Sequence, residues 1–478
     1  MAIKQYSIYV GGSFQETDSG LDVVNPYSGE ICFKTFLAGE TQFEQATQAA
    51  LVVRQDMQNL PAYQRYEILM SISNQIRDER EEFANIMANE AGKPYTTALG
   101  EVDRAVQTFL VAAEESKRLP GEVLSLDWMP NAAGKHGVVE YFPVGLVAGI
   151  TPFNFPLNLV AHKVAPAIAA GCPMVLKPAS STPVCALKLA QIIDQTSLPK
   201  GAFSVLPMDR TTGNRLVTDE RYQLLTFTGS AEVGWLMKKN SGKKKIVLEL
   251  GGNAGLIIED DADIEKAVSK AVVGGFSYAG QSCIHTQRIY VQAAVYDDFV
   301  TRYVKAVGNL VVGDPTKPET DVASMIDENN ASRIELWVNE AQQGGATVLC
   351  GGQRDGTLYQ PTVITNTSPE MKVTYEEAFA PVVVIEKYTD FKRAVAAVND
   401  SEYGLQAGLF THDNRKIRYA FNNLEVGGLT INETPTFRAD HMPYGGVKDS
   451  GIGREGPKYA IHDMLEPKIL IQDDSDVL

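Results

Sequence analysis

One cysteine, Cys283, stands in the stretch GGFSYAGQSCIHTQR (274–288), framed by glycines, small polar residues and a nearby histidine. Four roles suit such a thiol: a small buried hydrophobe, a metal ligand, half of a disulfide, or a nucleophile. Three further residues are of types that could work with it. Asn154 in TPFNFPL, Lys177 in LKPAS and Glu249 in LELGG each follow a short apolar run. Singly, each has an ordinary reading: a turn asparagine between prolines, a surface lysine, a carboxylate paired with a lysine. With Cys283, Asn154 and Glu249 make a thiolate nucleophile, an amide donor for an oxyanion and a carboxylate base. His285 lies two residues from Cys283. On an extended segment those side chains point to opposite faces, so a Cys–His pair is not expected.

Composition narrows the thiol's role. The chain has 478 residues, enough for two or three domains, and at 44% hydrophobic and 21% charged it has an ordinary globular balance. Its five cysteines, Cys32, Cys172, Cys185, Cys283 and Cys350, are odd in number and scattered, with no CxxC pair. Neither a disulfide framework nor a zinc site is expected, and no metal. A formal charge of −16 argues against nucleic acid as the main partner. No run of about 18 apolar residues exists to span a membrane. The opening MAIKQYSIYVGG lacks the basic and apolar regions of a secretory signal. The expectation is a reduced, cytoplasmic protein.

The elements that must position these residues follow from periodicity. Residues 1–35 suggest a small β-element, and 41–118 are helical, with apolar residues at three- and four-residue spacing. Leu119-Pro120-Gly121 breaks that region, and 122–140 is extended. Strand candidates VGLVAGI, CPMVLKP, FSVLP, LLTFTGS and KKIVLELGG then alternate with helices, which implies a parallel, doubly wound sheet. Such sheets bind ligands outside the carboxyl ends of their strands. A second alternating series begins at GLIIED and contains RIYVQ, ATVLCGG and APVVVIEKY, so a second α/β domain starts near residue 250. The cleft between the two is the natural site.

Two glycine motifs differ in value. GIGREG (451–456) satisfies GxGxxG, but no βαβ unit can be completed around it, and a loop is expected. FTGSAEVG (227–234) ends a strand and opens a helix with Gly229 and Gly234, which suits a pyrophosphate at a helix N-terminus or an ordinary cap.

In this order and spacing, PFNFP, LKPAS, FTGS, LELGG, GQSC and YEEAFAPV resemble the aldehyde dehydrogenase superfamily, from the NPYSGE turn to PYGGVKDSGIGREG, about nine-tenths of the chain. The resemblance implies an α/β fold: a Rossmann-like cofactor domain (1–119 and 141–249), an α/β catalytic domain (250–456) and a small β oligomerisation arm (120–140 and 457–478). It implies a homodimer or homotetramer using NAD or NADP. Cys283 would attack the aldehyde to give a thiohemiacetal whose oxyanion is held by the Asn154 amide and the Cys283 N–H. Hydride would leave for the nicotinamide, and Glu249 would activate the water that hydrolyses the thioester. Lys177 would meet the adenosine ribose and Glu377 the nicotinamide ribose, with Phe379 beside the ring. Gly229 and Ser230 would approach the pyrophosphate, and Thr151 and Pro152 would belong to the cofactor site.

Departures within the resemblance bear on specificity. Strict NAD enzymes of the family often carry a glutamate three residues after the LKP lysine. Here that position is Ser180, so NADP should be accepted. Arg104, His162 and Arg438 replace apolar channel positions and would bind a carboxylate, phosphate, sulfonate or several hydroxyls. The ordinary alternative is ion pairing, Arg104 with Glu101 or Asp103 and Arg438 with Asp440. Relatives acting on phosphorylated or phosphonate aldehydes often have arginine where this chain has Ser282. That favours a small polar or singly anionic aldehyde such as lactaldehyde, glyceraldehyde or succinate semialdehyde. Two rival readings are the coenzyme A-acylating branch, which typically lacks the glutamate of LELGG, and a non-enzymatic structural role.

Overall fold

The computed structural model describes residues 3–474. Met1, Ala2 and 475–478, which the sequence places in the cofactor domain and the arm, lie outside the described residues.

The first sheet has eight strands in the spatial order Gly451–Ile452, Lys245–Glu249, Leu224–Thr228, Val147–Ile150, Met174–Lys177, Phe203–Val205, Ile8–Val10, Ser13–Gln15. The central five are parallel, as the alternation of strands and helices requires. Their residues are apolar on both faces because helices cover both. Val147, Met174, Leu176 and Leu224 enter one core, while Ala148, Val175 and Leu225 enter the other. The parallel part starts in the middle at Val147–Ile150, winds outward to Phe203–Val205, then crosses to Leu224–Thr228. The order reverses between Val147–Ile150 and Leu224–Thr228, and a crevice opens there. Register places Ile150 opposite both Lys177 and Phe227, and Thr228 opposite Glu249. The expected site residues therefore leave one edge of one sheet.

The helical region resolves into five helices between Glu40 and Ser116, with Pro61 and Pro94 at the starts of the third and fifth. The helix Asn158–Ala170 is buried on every side, including His162 and Lys163, and ends at Gly171 in the left-handed region (φ 84°).

The second sheet has seven strands, with Thr286–Gln292 and Ala254–Ile258 near its centre; all pairs are parallel except Thr347–Cys350 with Thr362–Thr365. Only Leu250–Asn253 connect Glu249 to the start of Ala254–Ile258. The amino ends of this sheet thus face the carboxyl ends of the first. Alternation gave the strands but not this opposition, and Cys283 sits just before a strand rather than after one.

The arm differs from its expected bounds. It is a three-stranded antiparallel sheet of Gly121–Ser125, Lys135–Pro143 and Leu465–Asp473. Residues Pro457–Asp463 form a helix instead, and Ile461, Met464 and Leu465 enter the first core. GIGREG is not wholly loop either. Gly451–Ile452 pairs antiparallel with Leu248–Glu249 and closes that edge of the first sheet.

Candidate active site

Between the facing sheet ends lies a cavity of about 380 Å³. Its wall brings together Asn154, Glu249 and Cys283 with Gly229, Ser230, Pro152, Glu377 and Phe379, and with Arg104 and Arg438. Lys177, Ser180, Thr151 and His162 are not on this wall.

The cysteine turn is built from unusual backbone. After the helix Ile264–Phe276, Tyr278 (φ 51°), Ala279 (φ 52°) and Gly280 (φ 65°) are all left-handed. For the two non-glycines this costs about 1–2 kcal/mol each. The surroundings hold them there. Tyr278 Oη donates to the Ala91 carbonyl at 3.0 Å, and its ring lies under the Lys93 ammonium, 4.3 Å from the centroid. Lys93 is fully buried and ion-paired with Glu101, which also accepts from the N–H groups of Leu157 and Asn158 at 2.9 and 3.0 Å. One buried pair thus ties the cysteine turn to the loop that carries Asn154. Asn154 Nδ2 in turn donates to the Gln281 carbonyl at 3.0 Å.

The two glycines of LELGG have a reason. A methyl group at Gly252 would collide with the Cys283 carbonyl, and one at Gly251 with the Glu377 carboxylate. Gly252 N–H donates to Glu377 Oε1 at 2.9 Å.

Electrostatically the resting thiol is neutral, because burial pushes Cys283 up to about 12; the Tyr444 bond and Arg438 pull the other way. Its Sγ lies 2.9 Å from Tyr444 Oη. His285 takes no part. Its Nε2 is bonded to the Gly275 carbonyl at 2.9 Å, and burial holds the ring neutral, near 4. All five cysteines are free thiols, and no cluster of metal-ligating side chains occurs among the described residues.

Glu249 is 3% exposed, and neither carboxylate oxygen has a partner. Burial, then the neighbouring Glu455, push its carboxyl well above the usual range, against Arg438, Lys163 and Arg454.

The polar wall is an ionic network whose pairs differ from those expected. Arg104 grips Asp440, not Glu101 or Asp103, with Nε at 3.2 Å and Nη2 at 2.9 Å. Arg438 pairs with Glu455 at 2.9 Å, not Asp440, and stacks on the Tyr444 ring at 3.8 Å. Asp440 also accepts from Asn158 at 3.0 Å and lies 2.8 Å from His162 Nε2, and its carboxyl is held far below its ordinary range. His162 is therefore a buried support behind the wall, not a wall residue. Lys163 donates to Thr226 and Thr228 at 3.0 and 2.8 Å and faces Glu455 at 3.6 Å, three acceptors for an ammonium's three N–H groups. Buried Arg438 Nε has no partner.

Sequence reasoning missed Lys163, Glu455, Tyr444, Asn330 and Arg333; the last three line the cavity. Lys163 had a signal, a charge inside an otherwise apolar helix. Arg333 had none, since its helix Glu328–Gln343 is amphipathic and charged throughout.

The residues present fit a dinucleotide. Gly229, Ser230, Pro152, Glu377 and Phe379 all line the cavity. Ser230 begins the helix Ala231–Asn240 with its side chain unused as a cap, and Thr151 Oγ1 is buried without a partner at the adjoining strand end. Phe379 (φ 44°) is edge-on to Phe153 at 6.0 Å. Burial raises Glu377 to about 7, against the Gly252 N–H and Arg333. Lys177 and Ser180 lie further out. Lys177 packs against Gly213, its ammonium lowered by burial with Asp209 opposing, and Ser180 Oγ reaches the Met208 carbonyl at 3.5 Å.

Comparison with known proteins adds to this geometry. The family model described as "Aldehyde dehydrogenase family" matches residues 14–470. The chain is 43% identical over 471 residues to 3-sulfolactaldehyde dehydrogenase of Priestia megaterium, covering 98% of each. Among solved structures, aldehyde dehydrogenase 21 from Physcomitrella patens, in complex with the reaction product succinate, matches with a TM-score of 0.98 and 46% identity over 100% of both chains. Glyceraldehyde-3-phosphate dehydrogenase from Methanocaldococcus jannaschii, complexed with NADP, matches with a TM-score of 0.91 and 39% identity, covering 96% of this chain and 99% of that one.

Proposed function

The chain belongs to the aldehyde dehydrogenase family and uses NAD or NADP, and from that premise we propose that it oxidises a small, singly anionic aldehyde to its carboxylic acid. The observation that carries this reading is the charge of the polar wall. Arg104 and Arg438 both line the cavity, whereas their acid partners Asp440 and Glu455 are buried and off its wall. Two guanidiniums thus reach the cavity, and the unpartnered Arg438 Nε offers a donor to an anionic group. A carboxylate or sulfonate would accept from it. The succinate-bound relative and the sulfolactaldehyde relative agree with such a head group.

In this reading Cys283 Sγ attacks the carbonyl carbon, and the oxyanion is held by the Asn154 amide and the Cys283 N–H. NAD(P)+, when bound, supplies the hydride acceptor, and Lys177, Gly229, Ser230, Glu377 and Phe379 would hold it, with Thr151, Pro152 and Arg333 beside them. Glu249, once ionised, takes a proton from the water that hydrolyses the Cys283 thioester. The supporting division of the chain is a cofactor domain (1–119 and 141–249), a catalytic domain (250–456) and an arm.

Succinate semialdehyde is expected to be the best of a panel with acetaldehyde, hexanal, lactaldehyde and glyceraldehyde. Arg104→Gln should lower kcat/KM for succinate semialdehyde by roughly 10- to 100-fold, the worth of a charged hydrogen bond, and change acetaldehyde by less than about threefold. Arg438→Ala, which also removes the cation over the Tyr444 ring, should lower both and succinate semialdehyde more. Hexanal as the best substrate, or an unchanged ranking in both variants, would contradict the reading.

For the cofactor, NADP is expected to be preferred, because Ser180 offers a hydroxyl where a carboxylate would repel a 2′-phosphate. Ser180→Glu should lower kcat/KM for NADP at least about tenfold, ~1.4 kcal/mol, with little loss for NAD. A parent enzyme tenfold better with NAD would overturn this.

The arm exposes Val123 and Leu470 at 79% and 61%. An apolar patch of this kind suits a second copy of the chain. Light scattering is expected to give a homodimer or homotetramer, and a monomer at micromolar concentration would refute it. Five free thiols and no helix long and apolar enough to cross a membrane among the described residues agree with a cytoplasmic setting.

A further inference from the structure

The Cys283–Tyr444 contact has no place in the chemistry above. Tyr444 follows Pro443 in the loop after Asp440. It is 4% exposed, and its Oη has Cys283 Sγ at 2.9 Å as its hydrogen-bond partner. Two features favour the phenol as the donor in that bond. A phenol is a strong O–H donor and a thiol a weak one, while a sulfur gaining negative charge becomes a strong acceptor. The Arg438 guanidinium, 3.8 Å over the ring, withdraws electron density from it, which strengthens the phenol as a donor. The same stacking pins the ring plane, since Arg438 is itself held by Glu455 at 2.9 Å.

We propose that Tyr444 is a further catalytic residue: its hydroxyl donates a hydrogen bond to the Cys283 sulfur, holds that sulfur on the cavity wall and stabilises the charge it acquires on the way to attack. The hydroxyl keeps its own proton, and the thiol proton leaves to solvent or a base. Arg438 then serves two ends of the site, as a cation for the substrate's anionic group and as the platform under the phenol. This role rests on Cys283 being the nucleophile.

The groups facing the sulfur are Tyr444, Glu377, Arg438 and Glu249. Tyr444→Phe removes one hydroxyl and leaves the others. The experiment measures alkylation of Cys283 by iodoacetamide, in which an S–C bond forms and iodide leaves, between pH 6.5 and 9.5. It uses the cofactor-free protein with Cys283→Ala as background. Tyr444→Phe is expected to shift the rate–pH curve to higher pH and to slow alkylation about threefold to tenfold, the lost thiolate fraction being partly offset by a more nucleophilic sulfur. The acid limb of kcat/KM should move the same way. A second variant with 3-fluorotyrosine at position 444, a stronger acid, should move both in the opposite sense, an effect that repacking would not produce. If both curves superpose on the parent's, the role of Tyr444 is refuted. If alkylation leaves aldehyde oxidation intact, it is the nucleophile assignment that fails instead.

Discussion

Cys283→Ala is expected to lower kcat/KM for every aldehyde by at least about 10⁴-fold, to the assay floor, because no other group can form the covalent intermediate. The remaining cysteines cannot substitute. Cys172 and Cys185 are buried in the first core, and Cys32 and Cys350 lie on other strands and do not line the cavity. The variant should still bind NADP and melt within a few degrees of the parent, since the turn is held by Tyr278, Lys93 and Glu101 rather than by the sulfur. Absorbance at 340 nm gives the activity and fluorescence quenching the cofactor binding. Residual turnover above about one part in a hundred would remove Cys283 from its role.

Glu249→Gln should separate the two halves of the reaction. Loss of a general base is worth about 10²–10⁴-fold, so steady-state turnover should fall in that range while hydride transfer persists. A stopped-flow burst approaching one equivalent of reduced cofactor per site is the expected trace. The pH dependence follows from the carboxyl's position. Burial, with Glu455 beside it, raises its proton affinity, so Glu249 is neutral below its shifted titration and active only above it. Deacylation in the parent should therefore rise with pH, and the Gln variant should lose that limb. A variant without a burst that turns over like the parent would mean another base. A parent whose turnover depends on added coenzyme A would instead favour the acylating branch.

Much of this site was readable from residue order alone, and the reason is physical. Strand ends are marked by short apolar runs followed by a break, so Asn154, Lys177, Gly229 and Glu249 could be set along one sheet edge before any contact was known. What periodicity cannot carry is how two sheets face each other. Cys283 precedes its strand, and only the packing of amino ends against carboxyl ends brings it to the same cavity. Ion pairing was equally opaque. Arg104 finds Asp440 across 336 positions rather than Glu101 or Asp103, its neighbours on one helix, because Glu101 is taken by Lys93 and Asp103 by Arg80. His162 was misplaced for a related reason: its helix is buried all round, so no apolar face showed which side meets the cavity. The stretch given to the arm from residue 457 begins with the helix Pro457–Asp463, whose Ile461 sits in the first core, before the strand Leu465–Asp473 pairs with Lys135–Pro143.

The two-residue strand Gly451–Ile452 has a bearing on how the molecule is made. Until it docks, Lys245–Glu249 ends the first sheet with its Leu248 and Glu249 backbone groups unpaired. On a translating ribosome the cofactor-side sheet therefore waits, through synthesis of the whole second sheet, with a sticky KIVLE border exposed. The segment that caps this border also carries Glu455, which adds to burial in raising the proton affinity of Glu249. Nascent chains stalled before residue 451 would be aggregation-prone and chemically unfinished together, so quality control of the fold and arming of the base become a single late event.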